Sequence, residues 1–164
     1  MKTLVLMRHG KSSWKDIQLS DFDRPLKKRG KRDTPIMGQL LCNERIIPDY
    51  VLSSPALRCR ETVELLYDPL ELSDDMVDYV EDFYQADTMN YLEVIADLSD
   101  GFSRILIVGH NPSLEGLLQY LTGDSEVLPT AAAAWIKLPI HDWEEIIDDD
   151  IQGTLVKLWR PKEL

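Results

Sequence analysis

Two histidines and two arginines occupy comparable places in this chain, each just beyond a short run of apolar, strand-forming residues. Residues 3–7 lead into Arg8-His9-Gly10. Residues 50–52 lead through Ser53-Ser54-Pro55 to Arg58. Residues 105–108 lead into Gly109-His110-Asn111-Pro112. In open α/β sheets, ligands bind beyond the carboxyl ends of the strands, where several strand-to-helix turns converge. The three turns therefore predict one site in which two imidazoles and two guanidiniums meet, and such a cluster attracts an anion.

Phosphorus chemistry suits these residue types. A neutral imidazole attacking a phosphoryl group forms a covalent phosphohistidine that water then hydrolyses. The planar fork of arginine matches phosphate oxygens bidentately, so Arg8 and Arg58 are suited to holding the group through its transition state, with His110 as a further donor. Helix N-termini starting near the same edge add N–H groups that favour anions. Other chemistries lack their signatures: the chain has no Gly-rich dinucleotide turn, no P-loop and no His-Glu-x-x-His. No metal or other cofactor is expected. The third histidine, His141, lies in an acidic segment, no carboxylate adjoins His9 or His110, and Arg8 and Arg58 repel a cation. Cys42 and Cys59 have no metal-ligand spacing and are read as free thiols; Cys59, beside Arg58, is a secondary candidate nucleophile.

The elements that must position these residues alternate between strand and helix. A loop over residues 11–23 precedes a helix through Met37, Leu40 and Leu41. Ser54 and Pro55 read as the cap and first turn of a helix carrying Arg58, Val63 and Leu66. A strand over residues 77–80 precedes a helix starting near Asp87. Asn111 and Pro112 read as cap and first turn of a helix bearing Leu114, Leu117, Leu118 and Leu121. Late strands at Ala133–Leu138 and Thr154–Trp159 flank an acidic stretch read as an exposed hairpin connection. The four tryptophans, Trp14, Trp135, Trp143 and Trp159, are read as packing residues. The fold class is α/β: a three-layer α/β/α sandwich around a mostly parallel sheet, in one domain spanning residues 1–164.

Composition narrows the partners. The chain has 164 residues, 44% of them hydrophobic, and a net charge of −11. That balance argues against a nucleic-acid partner, because such binders carry a basic face. No run approaches the roughly 18 apolar residues of a membrane span, and the opening strand lacks signal-peptide flanks, so a cytoplasmic location without membrane attachment is expected. Charge is nonetheless uneven. Lys27, Lys28, Arg29, Lys31 and Arg32 crowd one segment and are read either as solvated surface or as a guide for a phosphorylated or acidic partner.

Three blocks, in order and spacing, resemble the histidine phosphatase superfamily, whose fold is phosphoglycerate mutase-like: Leu6-Met7-Arg8-His9-Gly10, the run from Ser53 to Thr62, and Val108-Gly109-His110-Asn111-Pro112. The short length, Asp23-Arg24-Pro25-Leu26 followed by Gly30, Phe83-Tyr84-Gln85-Ala86 and Pro129-Thr130-Ala131 look closest to the SixA-like phosphohistidine phosphatases. The resemblance implies a nucleophile at His9, phosphate-pocket arginines at Arg8 and Arg58, and a second pocket histidine at His110. Arg24, Asn111 and Ser12 are expected to contact substrate. Larger relatives protonate the leaving group with a carboxylate from the middle third, nearest here to Glu81 or Asp82, though an imidazole leaving group needs less help than an alkyl ester. The implied function is metal-independent removal of phosphate from phosphohistidine in a signalling protein. Two alternatives stand beside it: a phosphatase, or mutase, acting on a small phosphate ester, and a non-catalytic phosphate-binding or partner-docking module.

Overall fold

Strand side chains alternate between faces with period two, and that alternation builds two cores here. A computed structural model describes residues 1–164. Strand β1 (Lys2–Arg8) sends Leu4 and Leu6 to one face and Val5 and Met7 to the other. Strand β4 (Arg104–Gly109) divides Ile105 and Ile107 from Leu106 and Val108 in the same way. On the Leu4 face lie α3 (Thr88–Ala96) and α4 (Ser113–Thr122), which bury Leu92, Ile95, Leu114, Leu117, Leu118 and Leu121. On the Val5 face lie α1 (Lys28–Asn43) and α2 (Leu57–Leu66), which bury Met37, Leu41, Val63 and Leu66. Each fully buried Leu or Ile contributes roughly 1.5–3 kcal/mol by the apolar area removed from water. Three layers result, as the strand and helix alternation predicts.

The sheet order is β3-β2-β4-β1-β5-β6, with β2 at Tyr50–Ser53, β3 at Val77–Tyr79, β5 at Ala133–Leu138 and β6 at Thr154–Trp159. Strands β1, β2, β3 and β4 pair in parallel, while β5 pairs antiparallel with both β1 and β6. The register sets Arg8 opposite Gly109 and Ser53 opposite Val108. Consequently the residues that follow β1, β2 and β4 emerge side by side at one edge. No helix is long and apolar enough to cross a membrane.

Several boundaries differ from the sequence expectation. Helix α2 begins at Leu57 with Ala56 as its cap, two residues later than Ser54 and Pro55 suggest. Ser54 remains in register with the sheet through its N–H to the Val108 carbonyl (3.0 Å), and its hydroxyl both accepts from the Ala56 N–H (3.3 Å) and meets His110 Nε2 (2.8 Å). Helix α4 is capped by Pro112, not Asn111, whose side-chain amide donates to Glu115 Oε2 (3.0 Å) and the Leu128 carbonyl (2.7 Å). Asp87 does cap α3, in a reciprocal capping box with Asn90. The acidic connection between β5 and β6 is not wholly exposed: its short 3-10 segment Trp143–Ile147 buries Trp143 and Ile146 against the Leu4-side core. Trp14 is 70% exposed and packs on Arg24 rather than in a core.

Candidate active site

The turn after β1 is fixed from three sides. The His9 N–H donates to the Gly109 carbonyl (3.2 Å), and the Ala131 N–H reaches the Arg8 and His9 carbonyls (3.1 and 3.0 Å). The Gly10 N–H donates to Thr62 Oγ1 (3.0 Å), whose hydroxyl donates back to the Arg58 carbonyl (2.7 Å) and so ties this turn to the first turn of α2. Gly30, at the start of α1, packs directly on the backbone of Lys11, where any Cβ would collide. Glycine is therefore required for α1 to approach the site loop this closely.

His9, Arg8, Arg58 and His110 line one cavity of about 300 Å³, together with Lys11, Ser12, Trp14, Asp21, Arg24, Tyr84, Gln85, Asn111 and Thr130. The ring centroids of His9 and His110 lie 5.3 Å apart. His9 Nδ1 is 2.7 Å from the Gly10 carbonyl oxygen. A carbonyl can only accept, so Nδ1 carries the proton and Nε2 keeps its lone pair, with no protein partner. His110 has the opposite tautomer. Its Nδ1 lies 3.3 Å from Arg58 Nη2, which can only donate, and its Nε2–H donates to Ser54 Oγ at 2.8 Å.

Burial, followed by the neighbouring cations, keeps both rings neutral. It takes His9 down to about 3 against the opposing Gly10 hydrogen bond, with lesser lowering contributions from His110, Arg58 and Arg8. It takes His110 down to about 4, Arg58 adding to the effect and Asp21 opposing it. Arg8 is also lowered by burial and by Arg58, with Glu115 opposing. The Nε atoms of Arg8 and Arg58 are buried without partners. Repelling cations and unsatisfied donors around a polar cavity make an anion site.

Of the substrate contacts expected from sequence, Arg24, Ser12 and Asn111 all reach the wall. Arg24 Nη1 donates to Ser12 Oγ (2.9 Å) and its guanidinium lies 3.4 Å from the Trp14 ring centroid. Glu81 and Asp82 do not reach it. They are exposed on a 3-10 turn after β3, where Phe83 turns inward and the residues that follow, Tyr84 and Gln85, line the cavity. The carboxylate that does line the cavity is Asp21, which no motif or spacing singles out. It accepts from Tyr84 Oη (2.7 Å), Arg58 Nη2 (3.1 Å) and Arg24 Nε (3.2 Å). Partial burial pushes Asp21 up, but these donors prevail and hold it at about 2, fully ionised. Burial pushes the Cys59 thiol up to about 12, so it stays protonated and is no nucleophile. His141 is exposed and apart from the site, and no group of three or more His, Cys, Asp or Glu side chains is arranged to hold a metal ion.

A model of the histidine phosphatase superfamily (branch 1) matches residues 4–83. An uncharacterized chloroplastic protein of Arabidopsis thaliana is 34% identical over 152 residues, covering 88% of this chain and 70% of that protein. The chain belongs to the histidine phosphatase superfamily. Its structure is also similar to a protein assigned as phosphohistidine phosphatase SixA in Agrobacterium tumefaciens (TM-score 0.83, 27% identity, 98% of each chain covered). The protein histidine phosphatase SixA complexed with tungstate superposes equally well (TM-score 0.84, 25% identity, 98% of each chain). This histidine phosphatase is therefore SixA-like, and its class of activity is that of a phosphatase acting on a phosphorylated substrate.

The buried neutral histidines give a pH signature. Both folded-state values lie below the ordinary imidazole value of 6.5, so the unfolded chain takes up protons first as pH falls. Stability is complete above about 6.5 and declines as pH drops towards 4 and 3. For His9 alone the loss between pH 7 and pH 5 is about 2 kcal/mol. Thermal melts should show Tm falling over this interval, with a shallower fall in His9→Gln; an equal slope in both proteins would contradict the assigned protonation.

Proposed function

We propose that this protein is a metal-independent phosphohistidine phosphatase of signalling proteins, with His9 as nucleophile, and that it works in the cytoplasm. The observation that carries the reading is the bare Nε2 of a neutral His9, backed by its Nδ1–H to the Gly10 carbonyl and facing a cavity walled by Arg8, Arg58 and His110. His9 Nε2 attacks the phosphoryl group in line and forms a new N–P bond as the bond to the leaving group breaks. Water then attacks the phosphoenzyme, releasing inorganic phosphate and returning His9. Arg8 and Arg58 supply the cationic charge that such a transfer needs. A phosphoryl anion in the cavity favours a second proton on His110, which then donates from Nδ1 to an equatorial oxygen.

The leaving group decides between substrate classes. An alkyl oxide requires a proton as it departs, yet the cavity's carboxylate, Asp21, is ionised, and Glu81 and Asp82 stand off the wall. An imidazole already protonated on its other nitrogen departs neutral and needs no acid. The similar SixA structure is a complex with tungstate, a tetrahedral oxyanion, which supports oxyanion binding by a protein of this fold. The test is hydrolysis of a phosphohistidine peptide against a panel of phosphate monoesters, in chelator. Preference for the peptide is expected. Preference for an ester would move the function to small-molecule metabolism, and inactivity on every substrate would leave a phosphate-binding module.

A further inference from the structure

A second cavity, of about 220 Å³, adjoins the first: Thr130 lines both, and Arg29 Nη2 donates to its Oγ1 at 3.3 Å. Its charged wall brings together Arg29 and Arg32 from α1 and Lys162 from the C-terminal turn, against the single carboxylate Asp33. Asp33 is shared between Arg29 Nε (3.9 Å) and Arg32 Nε (3.3 Å), and Lys162 pairs with no carboxylate. Beyond the wall, Lys27, Lys28 and Lys31 are exposed and also unpaired. In a chain of net charge −11, this is a local reversal of sign that leads straight into the catalytic cavity. Lys11, on the wall of the first cavity, is lowered by burial and then by Arg29, Lys27, Arg8 and Arg24, so cations from both cavities act on it.

Resting on the phosphohistidine reading, we infer that this groove docks an acidic segment flanking the phosphorylated residue of the substrate protein, with its carboxylates on Arg29, Arg32 and Lys162. A free phosphorylated amino acid placed at His9 has no chain to reach the groove, whereas a protein chain placed there can run across Thr130, the residue the two cavities share, and lie along it. Charge complementarity then selects acidic partners and speeds their encounter.

The test uses fluorescein-labelled peptides with a central histidine flanked by glutamates or by glutamines, and fluorescence anisotropy on the wild type and on Arg32→Glu/Lys162→Glu. Both substituted residues are exposed and outside the catalytic cavity, so turnover of inorganic phosphoramidate serves as an unchanged control. The glutamate peptide should bind, about tenfold or more weakly in the double variant, and more weakly as ionic strength rises from about 0.05 to about 0.3 M. The phosphorylated glutamate peptide should show a lower KM than its glutamine counterpart, an advantage lost in the variant. Equal binding of both peptides, or a preference that survives the double substitution, overturns the inference. So does calorimetry in which inorganic phosphate fills two sites and loses the second in the variant, since the groove would then be a small-anion subsite. If the glutamate peptide binds as described while phosphoramidate and phosphorylated peptides stay inert, docking stands and the phosphohistidine reading falls.

Discussion

Replacing His9 with alanine is expected to lower turnover by on the order of 10⁴-fold or more, because the covalent step has no substitute nucleophile. Cys59 cannot take the role: it is fully buried and its thiol is pushed up to about 12. His110 cannot take it either, since Nδ1 accepts from Arg58 and Nε2 donates to Ser54, leaving no free lone pair aimed at substrate. The decisive measurement is trapping of the phosphoenzyme. Brief exposure to a radiolabelled substrate should leave label on the wild-type protein that acid removes and alkali spares, as a phosphoramidate behaves, and none on His9→Ala. Stable label on the alanine protein, or turnover within tenfold of wild type, would sink the mechanism. His9 is 5% exposed and its ring makes one hydrogen bond, to Gly10. Water from the cavity can satisfy that carbonyl in the variant, so loss of activity need not reflect loss of fold.

How much of this was legible in the sequence follows from which forces are local. Arg8, His9 and His110 stand at the ends of apolar runs that form buried parallel strands, and such strands deliver their last residues to a common edge. Arg58 follows in the first turn of the next helix, where a shift of two residues in the helix start still leaves it pointing inward. Asp21 and Tyr84 were not legible. They are 63 positions apart, one in a long loop and one after a three-residue edge strand, and their hydrogen bond depends on how two irregular segments pack. No periodicity encodes such a meeting. Glu81 and Asp82 show the same limit from the other side: the turn they occupy lies close to the site in sequence order, yet its rotation about Phe83, anchored in the core, turns them to solvent. Asn111 has the composition of a helix cap, but tertiary partners, Glu115 and the Leu128 carbonyl, take its amide, whereas Ser54 accepts from the Ala56 N–H and bonds His110 as well. Trp14 has the composition of a core residue; cation–π contact with Arg24 holds it over the cavity instead.

Removing the Arg58 guanidinium should cost on the order of 10²–10³-fold in kcat/KM, the range found when a charge-stabilising donor is lost from a transfer site, and lysine should restore little of it. Three contacts explain why. Arg58 Nη1 donates to the Asp21 carbonyl at 2.7 Å, Nη2 donates to Asp21 Oδ2 at 3.1 Å, and the same Nη2 reaches His110 Nδ1 at 3.3 Å. One planar group thus holds the loop carboxylate and fixes the His110 tautomer, and on the proposed mechanism it presents charge to the phosphoryl group; a lysine ammonium is a point charge and cannot span these directions. The loss should also be visible away from catalysis. After burial, Arg58 is the next influence lowering His110, so in Arg58→Ala the His110 ring should titrate nearer its ordinary value, followed by NMR of the imidazole protons. Asp21, deprived of its strongest cationic partner, should rise as well. If activity falls while the His110 titration stays where it is in the wild type, Arg58 acts on substrate alone, and the neutral state of His110 is owed to burial.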